Sequence, residues 1–194
     1  MNDYDFYVNI LKERLSPYRL HHSLEVAKSA KHLAEKYGYD AEKAYLAGLL
    51  HDITKEADAE ETFAMAEKYT LDMTQLERDN KKLWHAITGA GYIQNELNIT
   101  DDEILTAVRY HTTGRADMSL GEKVLFIADF VSSDRSYDGV DSMREKAEIS
   151  LESAMLEGIE FTVTELVEKH SPVHPDTIGA YNDIITNYKQ KGLI

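Results

Sequence analysis

The sequence predicts an all-α protein organised as one domain, and three observations carry that prediction. Punctuation is sparse, with three prolines and ten glycines in 194 residues, so the chain can run in long helices. Apolar residues recur three and four positions apart, the spacing that gathers them on one helical face. No stretch alternates apolar and polar residues for the length of a strand.

The elements follow in order. Leu24, Ala27, Ala30, Ala34 and Tyr37 form a stripe that predicts a helix over 23–37, closed by Gly38 just past its last turn. Asp40 is placed to cap a helix over 41–50. A helix over 57–69 carries Phe63, Ala66 and Tyr69 on one side, and one over 80–97 carries Leu83, Trp84, Ile87, Ala90, Gly91 and Leu97. Thr100 with Glu103, and Ser119 with Glu122, have the spacing of capping boxes and start helices over 101–111 and 120–132. A long helix from about 141 to about 169 is expected to adjust at Gly158. His174-Pro175-Asp176 marks the last start, because proline at the first helical position gives up an N–H that has no helical partner there. Ile178, Tyr181, Ile184, Ile185 and Tyr188 form the stripe of that helix. Without a repeat or a low-complexity linker, residues 1–194 read as a single domain, with a core over about 18–135 and C-terminal helices over about 141–190.

Composition narrows the function. The chain is 43% hydrophobic and 29% charged, the balance of a soluble globular protein. With no cysteine, disulfides and thiolate zinc sites are excluded, and any metal is held by nitrogen and oxygen. The opening Met1-Asn2-Asp3-Tyr4-Asp5-Phe6 is acidic and lacks the apolar segment of a signal peptide. The longest strongly apolar run is about seven residues, too short to span a membrane. A cytoplasmic protein with no membrane partner is expected. With 21 basic against 35 acidic residues the formal charge is −14, and no basic stripe interleaves with aromatics, which argues against a nucleic-acid duplex as partner. A phosphate-bearing substrate stays compatible, because bound divalent cations reverse the local field.

Chemistry concentrates at His51-Asp52, which ends the apolar run Ala44-Tyr45-Leu46-Ala47-Gly48-Leu49-Leu50. An imidazole and a carboxylate are costly to bury unless something pairs with them. His22, His85, His111 and Asp129 lie in similar apolar settings, Asp129 within Leu125-Phe126-Ile127-Ala128-Asp129-Phe130-Val131. Each has a bland reading by itself: His22 as a residue just ahead of the 23–37 helix, His51 and His111 as helix termini, His85 as a core histidine. One metal centre explains them all, each helix or junction projecting a group inward. Histidine nitrogens with carboxylate oxygens suit Fe, Mn, Co, Ni or Zn. Four histidines and two aspartates exceed what one tetrahedral ion needs, which points to two ions with Asp52 as the bridge.

The spaced set His22, His51-Asp52 and Asp129 resembles the signature of the HD-domain metal-dependent phosphohydrolases, and His85 and His111 match the two extra histidines of dinuclear members. Arg19-Leu20-His21-His22, Leu49-Leu50-His51-Asp52-Ile53-Thr54-Lys55, Arg109-Tyr110-His111-Thr112-Thr113-Gly114 and His174-Pro175-Asp176-Thr177 resemble, more narrowly, the YqeK family of bacterial symmetrical dinucleoside tetraphosphatases. The resemblance covers roughly residues 4–190. It implies the all-α HD-domain helical bundle, two divalent transition metal ions with iron foremost, and symmetrical cleavage of diadenosine tetraphosphate to two ADP. ADP or GDP would be product-like ligands. One departure is visible: where relatives have Ile-Glu-Pro-x-Arg, this chain has Val131-Ser132-Ser133-Asp134-Arg135.

On this reading Asp52 bridges both ions and positions a metal-bound hydroxide, the lowered pKa of a shared water making that hydroxide available near neutral pH. Arg19, Lys55 and Arg135 neutralise the remaining phosphates, and Thr112 and Gly114, with His85 and His111, contact substrate. Two alternatives keep the same residues: an HD phosphohydrolase acting on another nucleoside mono- or polyphosphate, and a non-catalytic metal-dependent nucleotide sensor. A cyclic dinucleotide is disfavoured by the absence of a Gly-Tyr-Pro triplet. The final apolar stripe offers a face for a homodimer.

Overall fold

The computed structural model describes residues 4–190, which form eleven helices and no strand. They are α1 (Tyr4–Arg14), α2 (Pro17–Tyr37), α3 (Ala41–Leu50), α4 (Ala59–Lys68), α5 (Gln75–Asp79), α6 (Lys81–Asn95), α7 (Asp102–Tyr110), α8 (Leu120–Val131), α9 (Val140–Ile149), α10 (Leu151–Glu168) and α11 (Pro175–Gln190). Among the described residues no helix is long and apolar enough to cross a membrane.

Capping chemistry explains where expectation and structure part. α2 starts six residues before the stripe predicted, because Pro17 opens it and the Ser16 side chain accepts the Arg19 N–H. His21 and His22 therefore lie inside the helix rather than ahead of it. Helix α5 and helix α1 were not anticipated, although Tyr7, Val8 and Leu11 carry a helical spacing that points α1 at the core. Thr100 and Glu103 do not form a capping box. Asp101 takes the N-cap instead and accepts the Glu103 N–H at 3.0 Å. The Ser119–Glu122 box forms as expected. The long helix expected over 141–169 is two helices. Its break falls at Ser150, extended at φ −157° and ψ 127°, whose side chain caps α10 through the Ser153 N–H. Gly158 stays helical within α10, where a Cβ would lie 3.5 Å from the Phe130 ring.

Helices α2, α3, α7 and α8 enclose the core. Val26, Ala30, Leu33, Leu49, Leu50, Val108, Leu125 and Ile127 are all essentially inaccessible. Burying each leucine or isoleucine contributes about 1.5–3 kcal/mol. Gly48 is what lets α3 lie so close to α2: a Cβ there would stand 2.8 Å from the Ala27 Cα, a backbone atom that cannot yield. That close approach fixes where α3 ends, and so where His51-Asp52 sits. Helices α4, α5 and α6 pack on the α7 side, α9 and α10 cover α8, and α11 rests on α10. Helix α11 buries Thr177, Ala180 and Ile184 and packs Tyr181 on the core, so Ile184 and Tyr181 of the expected stripe face inward while Ile178 is left 40% exposed. The side chain of Tyr188 lies outside the described residues.

Candidate metal centre

The ends of α3 and α7, the second turns of α2 and α6 and the last turn of α8 converge on one point. His22 comes from α2, His85 from α6 and Asp129 from α8, while His51-Asp52 and His111 follow the last residues of α3 and α7. His22, His51, Asp52, His85 and His111 are buried, and Asp129 is partly open.

Two lobes share Asp52. Its Oδ2 lies 3.5 Å from His51 Nε2 and 4.0 Å from His22 Nε2, and these two nitrogens stand 3.9 Å and 3.0 Å from Asp129 Oδ1. Its Oδ1 faces the other way, 3.3 Å from His85 Nε2 and 3.9 Å from His111 Nε2, which are themselves 3.1 Å apart. His22, His51 and Asp129 form one group able to hold a cation, and His51, Asp52 and His111 form another.

Three of the four imidazoles are aimed by their other nitrogen. His51 Nδ1 donates to the Gly48 carbonyl at 2.7 Å and His111 Nδ1 to the Val108 carbonyl at 2.6 Å. Each ring therefore does cap its helix, as the bland reading held, while turning Nε2 inward. His22 Nδ1 lies 2.8 Å from Asp134 Oδ2, the carboxylate–histidine arrangement that orients metal ligands. With Nδ1 the donor, each Nε2 presents a lone pair towards carboxylate oxygens that also have only lone pairs. His51 Nε2 and Asp52 Oδ1 are buried and make no hydrogen bond. Acceptors facing acceptors is unfavourable unless a cation lies between them, so the residues fit a metal.

The electrostatics of His85 and His111 agree. Burial, reinforced by neighbouring positive groups, holds His85 well below the usual imidazole range and His111 at about 4. Both are neutral and able to ligate near pH 7. Burial opposes ionisation of Asp52, yet His51, His85 and Lys55 outweigh it and keep the carboxyl well below its ordinary value. Asp129 is held down likewise, against burial, by His22, Arg135 and His51. His51 is raised, because Asp52 and Asp129 outweigh its burial.

Cations ring the centre. Arg19 Nη1 donates to Asp52 Oδ2 at 2.9 Å, and Lys55 Nζ lies 3.6 Å from Asp52 Oδ1 and 3.0 Å from His85 Nε2. Arg135 donates through Nε to the Asp129 carbonyl at 2.8 Å and through Nη2 to the Asp129 carboxylate. The Thr112 hydroxyl lies 3.3 Å and 3.2 Å from the Nε2 atoms of His85 and His111. Gly114 does not join them. Its N–H donates to the Tyr110 carbonyl at 2.8 Å, and it turns the chain at φ +64°, where a Cβ would stand 3.2 Å from that of Ala180.

Two features escaped the sequence reading. Asp134, noted only as part of a departure, is the partner of His22. Glu77, Arg109 and His174 form a second cluster, with Arg109 Nη2 donating to Glu77 Oε1 at 2.5 Å and His174 Nε2 3.6 Å from the same oxygen. A cavity of about 390 Å³ runs from His111, Asp129 and Arg135 past Phe130 and Tyr137 to Phe161, Leu166 and His174.

The HD domain family pattern matches residues 19–134. A symmetrical bis(5'-nucleosyl)-tetraphosphatase of Bacillus subtilis (strain 168) is 38% identical over 91% of this chain and 94% of its own. A protein of the same name from Halalkalibacterium halodurans is 35% identical over 94% and 97%, and one from Staphylococcus aureus is 38% identical over 89% and 90%. A crystal structure from Clostridium acetobutylicum, described as a predicted HD superfamily hydrolase involved in NAD metabolism, superposes with a TM-score of 0.92. It is 34% identical and covers 96% of this chain and 99% of its own.

Proposed function

Because the chain belongs to the HD domain family, and within it to the symmetrical bis(5'-nucleosyl)-tetraphosphatases, we propose that its two-lobed centre hydrolyses diadenosine tetraphosphate to two ADP. The observation that carries this reading is Asp52, whose two oxygens face separate sets of histidines. His22, His51, Asp129 and Asp52 Oδ2 would hold one divalent cation, and His85, His111 and Asp52 Oδ1 the other. Bound there, such cations supply the Lewis acidity that makes water nucleophilic near neutral pH and draws charge from the phosphoryl oxygens. Iron is the metal of this reading; the mixed nitrogen and oxygen donors also accept Mn, Co, Ni or Zn.

The chain's own residues do the rest. Arg19, Lys55 and Arg135 surround the centre and are placed to neutralise the four phosphates of the substrate, with the Thr112 hydroxyl as a further donor. The cavity beyond Asp129 has room for one nucleoside diphosphate half, its base against Phe161 and Leu166. Hydrolysis at the central anhydride expels ADP, a weak base, so a strong general acid is not needed. The two aspartates of the centre supply none, because both are held ionised.

Residues 1–194 act in this reading as one HD domain, in the cytoplasm where nucleotide substrates are found. A homodimer through α11 has the exposed Ile178 as its support. The other nucleotide substrates and the sensor reading gain nothing from the relatives. An anaerobic, metal-resolved assay on diadenosine tetraphosphate with products separated is expected to give ADP alone, and no turnover after chelation. ATP with AMP as products, or full activity in metal-stripped protein, would reject the proposal. In the same assay Phe161→Ala is expected to raise KM about threefold to tenfold with little change in kcat, the cost of one lost ring contact.

A further inference from the structure

Asp134 and Arg135 reach the centre from a turn that has little to hold it from within. Helix α8 ends at Val131, and the carbonyls of a last helical turn have no partner inside the helix. Local residues meet part of this need: the Arg135 N–H donates to the Ser132 carbonyl at 3.0 Å, and Tyr137 donates its hydroxyl to the Phe130 carbonyl at 3.0 Å. What spans it from outside is Arg144, the fifth residue of α9. Its Nε donates to the Val131 carbonyl at 3.1 Å, and its Nη2 to the carbonyls of Ser132 and Arg135, each at 2.9 Å. Its Nη1 pairs with Asp141 at 2.8 Å, so the guanidinium is tied on both sides.

We propose that Arg144 is a positioning residue for the metal centre. By gripping the carbonyls of Val131, Ser132 and Arg135 it sets the turn that delivers Asp134 to His22 and Arg135 to Asp129. The inference rests on the metal-centre reading above. The planar fork of a guanidinium addresses three carbonyls in fixed directions, which the single ammonium of a lysine does not. The inner face of the turn then has two outputs. The Asp134 carboxylate fixes the His22 ring with Nε2 inward, and Arg135 binds both the backbone and the side chain of Asp129. Ser133, just before them, donates to Glu25 on α2. The register of α9 on α8 is thereby coupled to the orientation of two ligands, although no atom of Arg144 touches the centre.

The test is Mn²⁺ affinity of the full chain, measured by titration with the metal alone, for Arg144→Met, Asp134→Asn and the double variant. Lys123→Met serves as a control, since it removes a tie between α8 and α10, the Lys123–Glu152 pair at 2.9 Å, away from the centre. Arg144→Met and Asp134→Asn are each expected to weaken Mn²⁺ binding about tenfold or more, as removal of an orienting partner does. The double variant should be no weaker than the worse single one, because both changes release the same ring. Lys123→Met should bind as the parent does, whatever its melting temperature. Arg144→Lys, which keeps the charge and the stem, should fall between and guards against a methionine variant that does not fold. Unchanged binding in Arg144→Met, or in Arg144→Lys where the methionine variant does not fold, overturns the proposal. So do strictly additive losses, or an equal loss in Lys123→Met. If the parent itself binds no Mn²⁺, the metal-centre reading fails with it.

Discussion

Asp52 and Glu122 are equally buried, each 1% exposed, and their surroundings could hardly differ more. Glu122 lies in the first turn of α8, where the helix favours an anion. Arg115 grips it through Nε and Nη2 at 2.6 Å and 2.9 Å, and the Ser119 N–H reaches Oε2 at 2.8 Å. Both oxygens are met by directed N–H groups. Asp52 has one such partner, Arg19, on Oδ2, and its Oδ1 has none. That oxygen faces imidazole nitrogens instead. A carboxylate whose task is structural is closed off by donors, whereas one whose task is chemical keeps an oxygen for something that has yet to bind.

The comparison breaks most sharply under exchange of charge for amide. Asp52→Asn is expected to lower turnover by about a thousandfold or more, because the centre loses the anionic oxygens that face both sets of histidines. Thermal stability of the metal-free protein should fall as well, since the substitution takes from Arg19 and Lys55 the carboxylate they pair with, a charge the fold holds ionised. Metal analysis, turnover and a melting curve on the same preparation check all three, and a stability loss without a loss of turnover would reverse the assignment. Next in size, Arg115→Met leaves Glu122 buried without its cation and should cost about 3 kcal/mol or more, a fall of roughly 10 °C in Tm for a chain of this size. Its kcat per folded molecule, measured well below that Tm, should be unchanged.

The same contrast explains what could be read in the sequence. Five of the six inward-facing groups were legible because His51-Asp52, His85, His111 and Asp129 end or interrupt apolar helical runs, and an interruption shows in the sequence itself. The Ser119–Glu122 box was legible because its partners stand three residues apart. Asp134 was not: a carboxylate in a polar turn carries no signal until α2 brings His22 to it, 112 residues away in sequence. Helix ends were misplaced where two residues competed for one cap, as Thr100 and Asp101 do, or where a serine in a helix-compatible stretch opened a new helix, as Ser150 does. At the start of α11 Ile178 is left outside and Thr177 is buried instead, because packing on Thr113 and Ala116, not hydropathy alone, decides which side faces in. The Thr177 hydroxyl bonds the Thr113 carbonyl at 2.9 Å, and Gly179 packs against Ala116.

Glu77 stands between the two extremes and gives the smallest effect. It is 3% exposed and, like Glu122, satisfied: Thr74 donates N–H and hydroxyl at 2.8 Å and 2.9 Å, and Arg109 holds the other oxygen. Yet it stands 3.6 Å from His174, which lines the cavity, so it is a structural carboxylate at the edge of the candidate site. Burial pushes its pKa up, but the Thr74 donors and Arg109 outweigh that and hold it below the ordinary 4.5. A depressed folded-state pKa means that the stabilisation is complete above the unfolded value and disappears as pH falls through the folded one. Arg109→Met removes part of that depression. The variant should therefore lie about 2 kcal/mol below the parent from about pH 6 to pH 8, the worth of a hydrogen bond to a charged group, and the gap should narrow below about pH 4.5. Denaturant titrations across that range measure it. A gap that stayed constant into strong acid would mean that Arg109 acts through packing over Tyr110, where its guanidinium lies 5.0 Å from the ring centre, and not through the carboxylate.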